Sequence, residues 1–148
     1  MSNERENKVI AEHWLEGFWG RSWTPRVVDD LAAPDIVLQF SLQMPRRGQK
    51  EVKKFLVGLR QTFHDFEFHR TADLVAESDY VVGHLQGGGT HVGAAFADFL
   101  LGYLPANSRR KVHLAGTTVL RITNGKIAEE KTRVMWVAQL PRVQNVAV

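Results

Sequence analysis

The chain contains no cysteine, which excludes disulfides, thiolate metal sites, iron–sulfur clusters and a cysteine nucleophile. Strong catalytic signatures are missing as well: no P-loop, no glycine-rich dinucleotide fingerprint after a strand, no His-Glu-x-x-His and no nucleophile elbow. No apolar run approaches the length of a membrane span. The segment Met1-Ser2-Asn3-Glu4-Arg5-Glu6-Asn7-Lys8 carries both charge signs, unlike a secretory signal, so the cytoplasm is the expected location. Excess charge is also scarce, with 19 basic against 16 acidic residues. Arg46, Arg47, Lys50, Lys53, Lys54 and Arg60 are the local concentration. Val52, Phe55, Leu56 and Leu59, however, share one side of a helix through that stretch and leave the lysines on the solvent side. Neither nucleic acid nor membrane is expected as a partner.

What is present describes one folded domain over residues 1–148, with 44% hydrophobic and 24% charged residues, long enough to bury a single core without a staple. From Asn7 to Trp19 apolar residues recur at Ile10, Trp14, Gly17 and Phe18, a helical period. Thr24 before Pro25 predicts a second short helix to about Leu31, and Ala33-Pro34-Asp35 stops it. Ile36 to Phe40 reads as a strand, Pro45 to Gly48 as a turn, and Lys50 to about Thr62 as a third helix. Extended segments follow at Phe66 to Ala76, Tyr80 to about Gln86, Lys111 to Ile122 and Lys126 to Ala138. Helices first and strands afterwards predict an α+β domain, with helices on one face of an antiparallel sheet.

Asn124-Gly125 between two β-like runs is the preferred type I′ hairpin turn. Taken as written, it pairs Ile122 with Ile127, Thr118 with Lys131, Leu114 with Met135 and His113 with Trp136. Gly87-Gly88-Gly89 suggests a bulge, a bend or a backbone approached by a ligand. Ala94 to Pro105 looks like a short apolar helix or flap. Glycines at such positions, Gly116 included, suit a curved sheet closing round a cavity.

The histidines form no convincing metal set, because His64 and His69 fall on opposite faces of a strand and no carboxylate shell lies nearby. No metal or cofactor is expected. Titratable residues in extended segments that could line a cavity are His84, His91, His113, Glu129, Glu130 and Arg133. For each alone, a satisfied sheet residue or a solvated stripe is the competing reading. Trp14 reads as core that could also form part of a ligand platform.

The sequence resembles the SnoaL-like polyketide cyclase family of the nuclear transport factor 2-like superfamily. The resemblance rests on His13-Trp14 and Phe18-Trp19, Leu31-Ala32-Ala33-Pro34-Asp35-Ile36-Val37, Gly48-Gln49-Lys50-Glu51-Val52 and Phe63-His64-Asp65-Phe66. Asp79-Tyr80-Val81-Val82, Gly89-Thr90-His91-Val92-Gly93, Leu120-Arg121-Ile122 and Asn124-Gly125-Lys126-Ile127-Ala128-Glu129 complete it. It implies a cone-shaped α+β barrel, with a curved antiparallel sheet over three N-terminal helices, an enclosed apolar pocket and a homodimer. It also implies cofactor-independent aldol cyclisation or isomerisation of a small hydrophobic carbonyl compound by a pocket acid/base. The position of the family's acid/base aspartate is Met135 in this chain. Gln39 and Thr118 stand where the family has other polar groups.

Candidate catalytic residues are therefore His91, Arg133 and Glu129, with Trp14, Gln39, Phe63, His113, Thr118 and Met135 lining the pocket. The hairpin leaves two arrangements open. Either Thr118, Glu129, Lys131, Arg133 and Met135 face the cavity, or that face is outside while His113, Thr117, Thr132 and Trp136 point inward. A one-residue slip exchanges them. Binding of an apolar ligand without turnover, or a dimeric interaction module, is the alternative to catalysis.

Overall fold

The computed structural model describes residues 3–98 and 102–138. Helix α1 spans Glu4–Trp14 and runs directly into a π-helical turn, Leu15–Trp19. Its buried residues Asn7, Ala11 and Trp14 keep the helical spacing that turns one stripe toward the core. The expected helix thus starts earlier and widens at its end. Helix α2 covers Arg26–Leu31, with the Arg26 amide donating to Thr24 Oγ1 at 3.3 Å. Helix α3, Gln49–Thr62, buries Val52, Leu56 and Leu59 along one face.

The strands are β1 (Ala32–Phe40), β2 (Arg46–Arg47), β3 (Phe63–Arg70), β4 (Val75–Glu77), β5 (Tyr80–His91), β6 (Phe96–Asp98), β7 (Gly102–Leu104), β8 (Lys111–Thr123) and β9 (Lys126–Ala138). The main sheet has the order β2-β1-β9-β8-β5-β3, with β4 beside β5; β6 and β7 pair separately. The architecture is α+β, a curved sheet with the helices at its N-terminal side. One pair departs from the antiparallel expectation, since β1 runs parallel to β9. These two strands are joined through most of the chain rather than by a hairpin, so nothing forces them to oppose. β1 also begins at Ala32 rather than Ile36, with a register irregularity between Ala32 and Val37 that accommodates Pro34.

Elsewhere the extended segments divide differently from the sequence reading. The run expected over Phe66 to Ala76 is two strands, β3 and β4. β5 continues through Gly87-Gly88-Gly89 to His91. What approaches those glycines is neighbouring backbone: a Cβ at Gly87 would lie 1.8 Å from Glu67 O, and one at Gly88 1.9 Å from Val112 O. The Ala94 to Pro105 segment carries β6 and β7 in place of a helix, and residues 99–101 within it lie outside the described residues.

Aromatic rings fill the space between helices and sheet. Trp14 stacks on Phe18 at 4.7 Å between centroids, and Trp19 lies 5.9 Å from Phe40 and 5.6 Å from Phe68.

The β8–β9 hairpin decides which residues join this interior. Ile122 pairs with Ile127 as the Asn124-Gly125 turn predicts, but Arg121 then pairs with Glu129. Ala128 is the extra residue, a β-bulge one step past the turn. Beyond it every expected pair is displaced: Thr118 faces Thr132, Leu114 faces Trp136 and His113 faces Ala138. The bulge switches β9 from odd to even residues on the core side, so Ile127 is buried and then Glu130, Thr132 and Val134.

Candidate functional site

Among the core side chains so placed is an acid. Glu130 has 0% relative exposure, and a carboxylate carried this far from water must find hydrogen bonds or hold a proton. Trp14 Nε1 donates to Oε1 at 2.8 Å, and Trp19 Nε1 donates to Oε2 at 2.8 Å. Thr118 Oγ1 donates to Oε2 at 2.5 Å, in the range of charge-assisted bonds, and Thr132 Oγ1 reaches the same oxygen at 3.2 Å. Thr118 and Thr132, opposite one another across β8 and β9, are also 2.9 Å apart through their hydroxyls. Burial pushes the pKa of Glu130 above the usual carboxylate range, opposed by the bonds from Thr118, Trp14, Trp19 and Thr132.

The two indoles reach one carboxyl because of the π-helical turn. In an α-helix residues five apart point about 140° away from each other. A π turn bonds residue i+5 back to residue i and so sets one nearly above the other. Trp14 and Trp19 bracket Leu15–Trp19, the segment that has this pitch. Helix, bulge and hairpin converge on a single buried acid.

Trp19, one of the donors, packs against a ring layer that borders an open cleft. Phe40 and Phe55 are 5.3 Å apart and lie 5.9 and 6.0 Å from Trp19. On their outer side a cleft of about 350 Å³ is lined by Phe40, Arg46, Phe55, Leu59, Phe63 and Phe96 among others. A second concavity, of about 680 Å³, lies at the β1 irregularity and the hairpin turn, with Asp35, Arg47, Arg121 and Asn124 in its wall. Among the described residues no group of His, Asp or Glu is disposed to hold a metal ion.

The SnoaL-like polyketide cyclase family model matches residues 9–137. The chain belongs to this family. No curated protein matches it. A protein from Jannaschia sp. CCS1 classed as a SnoaL-like polyketide cyclase is similar in structure, with TM-score 0.74, 19% identity and 96% of this chain and 91% of that one covered. TsrD from Streptomyces laurentii is similar with TM-score 0.70, 20% identity and 96% of both chains covered. A protein of ketosteroid isomerase-like fold from Catenulispora acidiphila DSM 44928, solved with trimethylamine, has TM-score 0.68, 15% identity and coverage of 95% and 92%. At these identities the three show a shared fold.

Within this SnoaL-like frame, Trp14 and Thr118 of the sequence-predicted residues meet at Glu130, and Phe63 lines the outer cleft. The others lie apart. His91 is buried, yet both ring nitrogens are bound, Nδ1 to Ser108 Oγ and Nε2 to the Ala94 carbonyl, each at 2.8 Å. Since a carbonyl only accepts, Nε2 bears the proton there, and His91 ties down the segment that carries β6. Gln39 donates to the Gln43 carbonyl at 3.2 Å. Met135, expected in the pocket wall, is 63% exposed because the bulge turns it outward, and His113 is exposed because the even residues of β8 face the core. Glu129 sits 3.8 Å from Arg121 on the outer face, and Arg133 Nη1 donates to Ser41 O. Of the two hairpin arrangements, the first therefore fails for all but Thr118. The second is right for Thr132 and fails for exposed His113 and for Thr117, whose Oγ1 meets exposed His84 Nδ1 at 3.2 Å, while the Trp136 side chain lies outside the described residues.

Glu130 stands among the titratable residues that the sequence offers as cavity lining, but neither it nor Trp19 or Arg46 is among the candidate site residues named from the sequence. The signal available was the pair of donor-only indoles at helix one, whose N–H groups need an acceptor when buried.

Proposed function

We propose that the protein is a cofactor-independent acid/base catalyst of the cyclase or isomerase class. It moves a proton on a small hydrophobic carbonyl compound, and Glu130 carries that proton. The observation behind this reading is a carboxyl that is the one fully buried acid among the described residues, held by four core donors, with its pKa raised by burial. Its oxygens are not equivalent. Oε2 receives Trp19, Thr118 and Thr132, whereas Oε1 receives Trp14 alone and keeps a lone pair free for the proton. In this reading Glu130 does the work first assigned to His91, Arg133 and Glu129, and the substrate enters by the cleft outside Phe40 and Phe55, which part to admit it. The protein acts as a homodimer that takes a small apolar substrate.

The test is ring closure of an activated polyketide ester, with deuterium exchange at its acidic carbon followed by NMR. Wild type accelerates both, and Glu130→Gln lowers the rate by roughly 10²–10⁴-fold, the usual contribution of a positioned acid/base. An inactive wild type, or a Glu130→Gln rate equal to wild type, overturns the reading.

One observation favours a second reading. Glu130 is fully buried and already accepts from Trp14, Trp19 and Thr118, and Trp19 is itself packed against Phe40 and Phe55. On that reading the carboxyl is a structural knot and the cleft binds an apolar ligand without turning it over. Saturable ligand binding with no exchange in wild type would select it.

A further inference from the structure

Arg46 occupies an unusual position in the outer cleft. It belongs to β2, and its backbone register opposite Leu38 of β1 fixes where its side chain starts. The guanidinium lies over the Phe55 ring, 4.6 Å from its centroid, a cation–π contact that orients the fork. Nη1 is buried and has no hydrogen-bond partner among the described residues. Arg46 also forms no ion pair among the described residues: the acid sharing its cleft, Glu51, is paired with Lys54 at 3.3 Å. Burial lowers the pKa of Arg46, with Glu51 opposing, as for a cation short of neutralising contacts.

A buried, unpaired guanidinium N–H is costly in a finished structure. Arg60 is the other arginine with such atoms, but it sits between Trp23 and Phe66 at 5.0 and 5.4 Å and donates Nη2 to Gly20 O, outside the cleft lining. Of these two arginines, Arg46 is the one that lines an open concavity among the described residues. The rest of the concavity wall combines Phe40, Phe55, Leu59, Phe63 and Phe96 with Gln43, Gly58, Thr62 and the mutually paired Glu51 and Lys54. A concavity of about 350 Å³ falls within the range of small-molecule sites. Rings on several sides, with Lys54 matched by Glu51 and Arg46 left as the cation without an ion pair among the described residues, fit a flat apolar molecule that ends in an anionic oxygen.

We propose that Arg46 anchors the ligand of this cleft by a carboxylate, so that a flat hydrophobic molecule carrying a free acid group, whatever ketone or ester it also carries, is bound in preference to its neutral counterpart. The inference rests on the proposed function only in taking this cleft as the ligand's way in; it does not require Glu130 to move a proton. An acid held by Arg46 lies with its body on Phe55 and Phe40, the layer behind which Trp19 and Glu130 stand.

The experiment compares 2-naphthoate with its neutral amide, 2-naphthamide, by calorimetry and indole fluorescence, on wild type, Arg46→Met, Arg46→Lys and Glu130→Gln. Wild type is expected to bind the acid roughly tenfold or more tighter than the amide, the scale of one charge-assisted contact. Arg46→Met removes that preference while leaving amide affinity within about twofold, and Arg46→Lys restores part of it as a point charge without the fork. Glu130→Gln keeps the preference. Equal affinities in wild type, no binding of either compound, or a preference that survives Arg46→Met each overturn the proposal. The wild-type ratio decides even if Arg46→Met does not fold. Loss of turnover in Glu130→Gln with the preference intact supports both readings, whereas unchanged turnover sinks the catalytic one and leaves Arg46 standing.

Discussion

Trp14 and Trp19 stand five residues apart on one helical segment and donate their indole N–H groups to the two different oxygens of Glu130, each at 2.8 Å. The arrangement depends on the π-helical turn Leu15–Trp19, and its other half depends on the Ala128 bulge that turns Glu130 inward. The first helix and the last strand are thereby joined through a single carboxyl.

Replacing that carboxyl by an amide measures the joint. Glu130→Gln keeps the volume, but an amide turned so that its oxygen accepts from Trp19 and Thr118 presents N–H to the Trp14 indole and leaves that donor unpaired. A loss of about 1–3 kcal/mol is expected, lowering Tm by roughly 2–4 °C for each kcal/mol. The pH dependence has a definite sign. Burial raises the folded pKa of Glu130 above its unfolded value, so between the two values the native state holds more protons and wild-type stability falls as pH rises. Thermal melts of both proteins across pH should show the wild type's stability relative to the variant decreasing as pH rises from the unfolded pKa through the raised folded one. A relative stability that increases there contradicts the raised pKa.

The indole donors are tested separately. Trp19→Phe retains a ring against Phe40 and Phe68 but removes one bond to a charged group, at an expected cost of about 1.5–3 kcal/mol. In a double-mutant cycle with Glu130→Gln the two losses should fail to add, with a coupling of about 0.5–3 kcal/mol. Denaturant melts of the single and double variants supply it, and strictly additive losses would mean that the 2.8 Å contact carries no energy.

How far this was legible beforehand differs by element. The helix-then-strand order and the Asn124-Gly125 turn follow from local chemistry, and Ile122 pairs with Ile127 as that turn requires. The next step does not follow, because a bulge at Ala128 has no residue signature: alanine fits a bulge or a regular strand equally well. Since side chains alternate along a strand, that one unannounced residue moved Glu129, Arg133 and Met135 out and Glu130 in. The π turn was equally silent, as Trp14 and Trp19 look misphased on an ordinary helical period. His91 is a catalytic candidate from its titratable ring in an extended segment, whereas its partners Ser108 and Ala94 come from a segment whose two-stranded form the sequence does not reveal.

The glycine run supplies a test of the sheet itself. Gly88 has φ +157° and would place a Cβ 1.9 Å from the Val112 carbonyl oxygen. That atom belongs to the paired backbone of β8 and cannot rotate away as a side chain would. Gly88→Ala is expected to cost at least about 3 kcal/mol, combining backbone strain with a broken ladder. Hydrogen exchange should locate the lost protection along the β5–β8 pairing of Gly88 with His113. A variant as stable as wild type would mean that β5 does not approach β8 in this way.

Met135 provides the sharpest contrast between family pattern and geometry. The resemblance places the family's acid/base aspartate at this position, so Met135→Asp would restore chemistry if position in the sequence were what mattered. In the folded chain Met135 is 63% exposed on the outer face of β9, while the even residues Glu130, Thr132 and Val134 face the core. An aspartate there would be solvated, with no reason to take up or return a proton inside the cone. Met135→Asp is therefore expected to change stability by no more than about 0.5 kcal/mol, as for an ordinary surface substitution, and to leave the rate of α-proton exchange at the wild-type level. In the Glu130→Gln background it should not rescue exchange. Rescue would show that residue 135 reaches the reacting carbon and that β9 takes a register without the Ala128 bulge when it works; failure of rescue leaves Glu130 as the only acid on the inner face of this strand among the described residues.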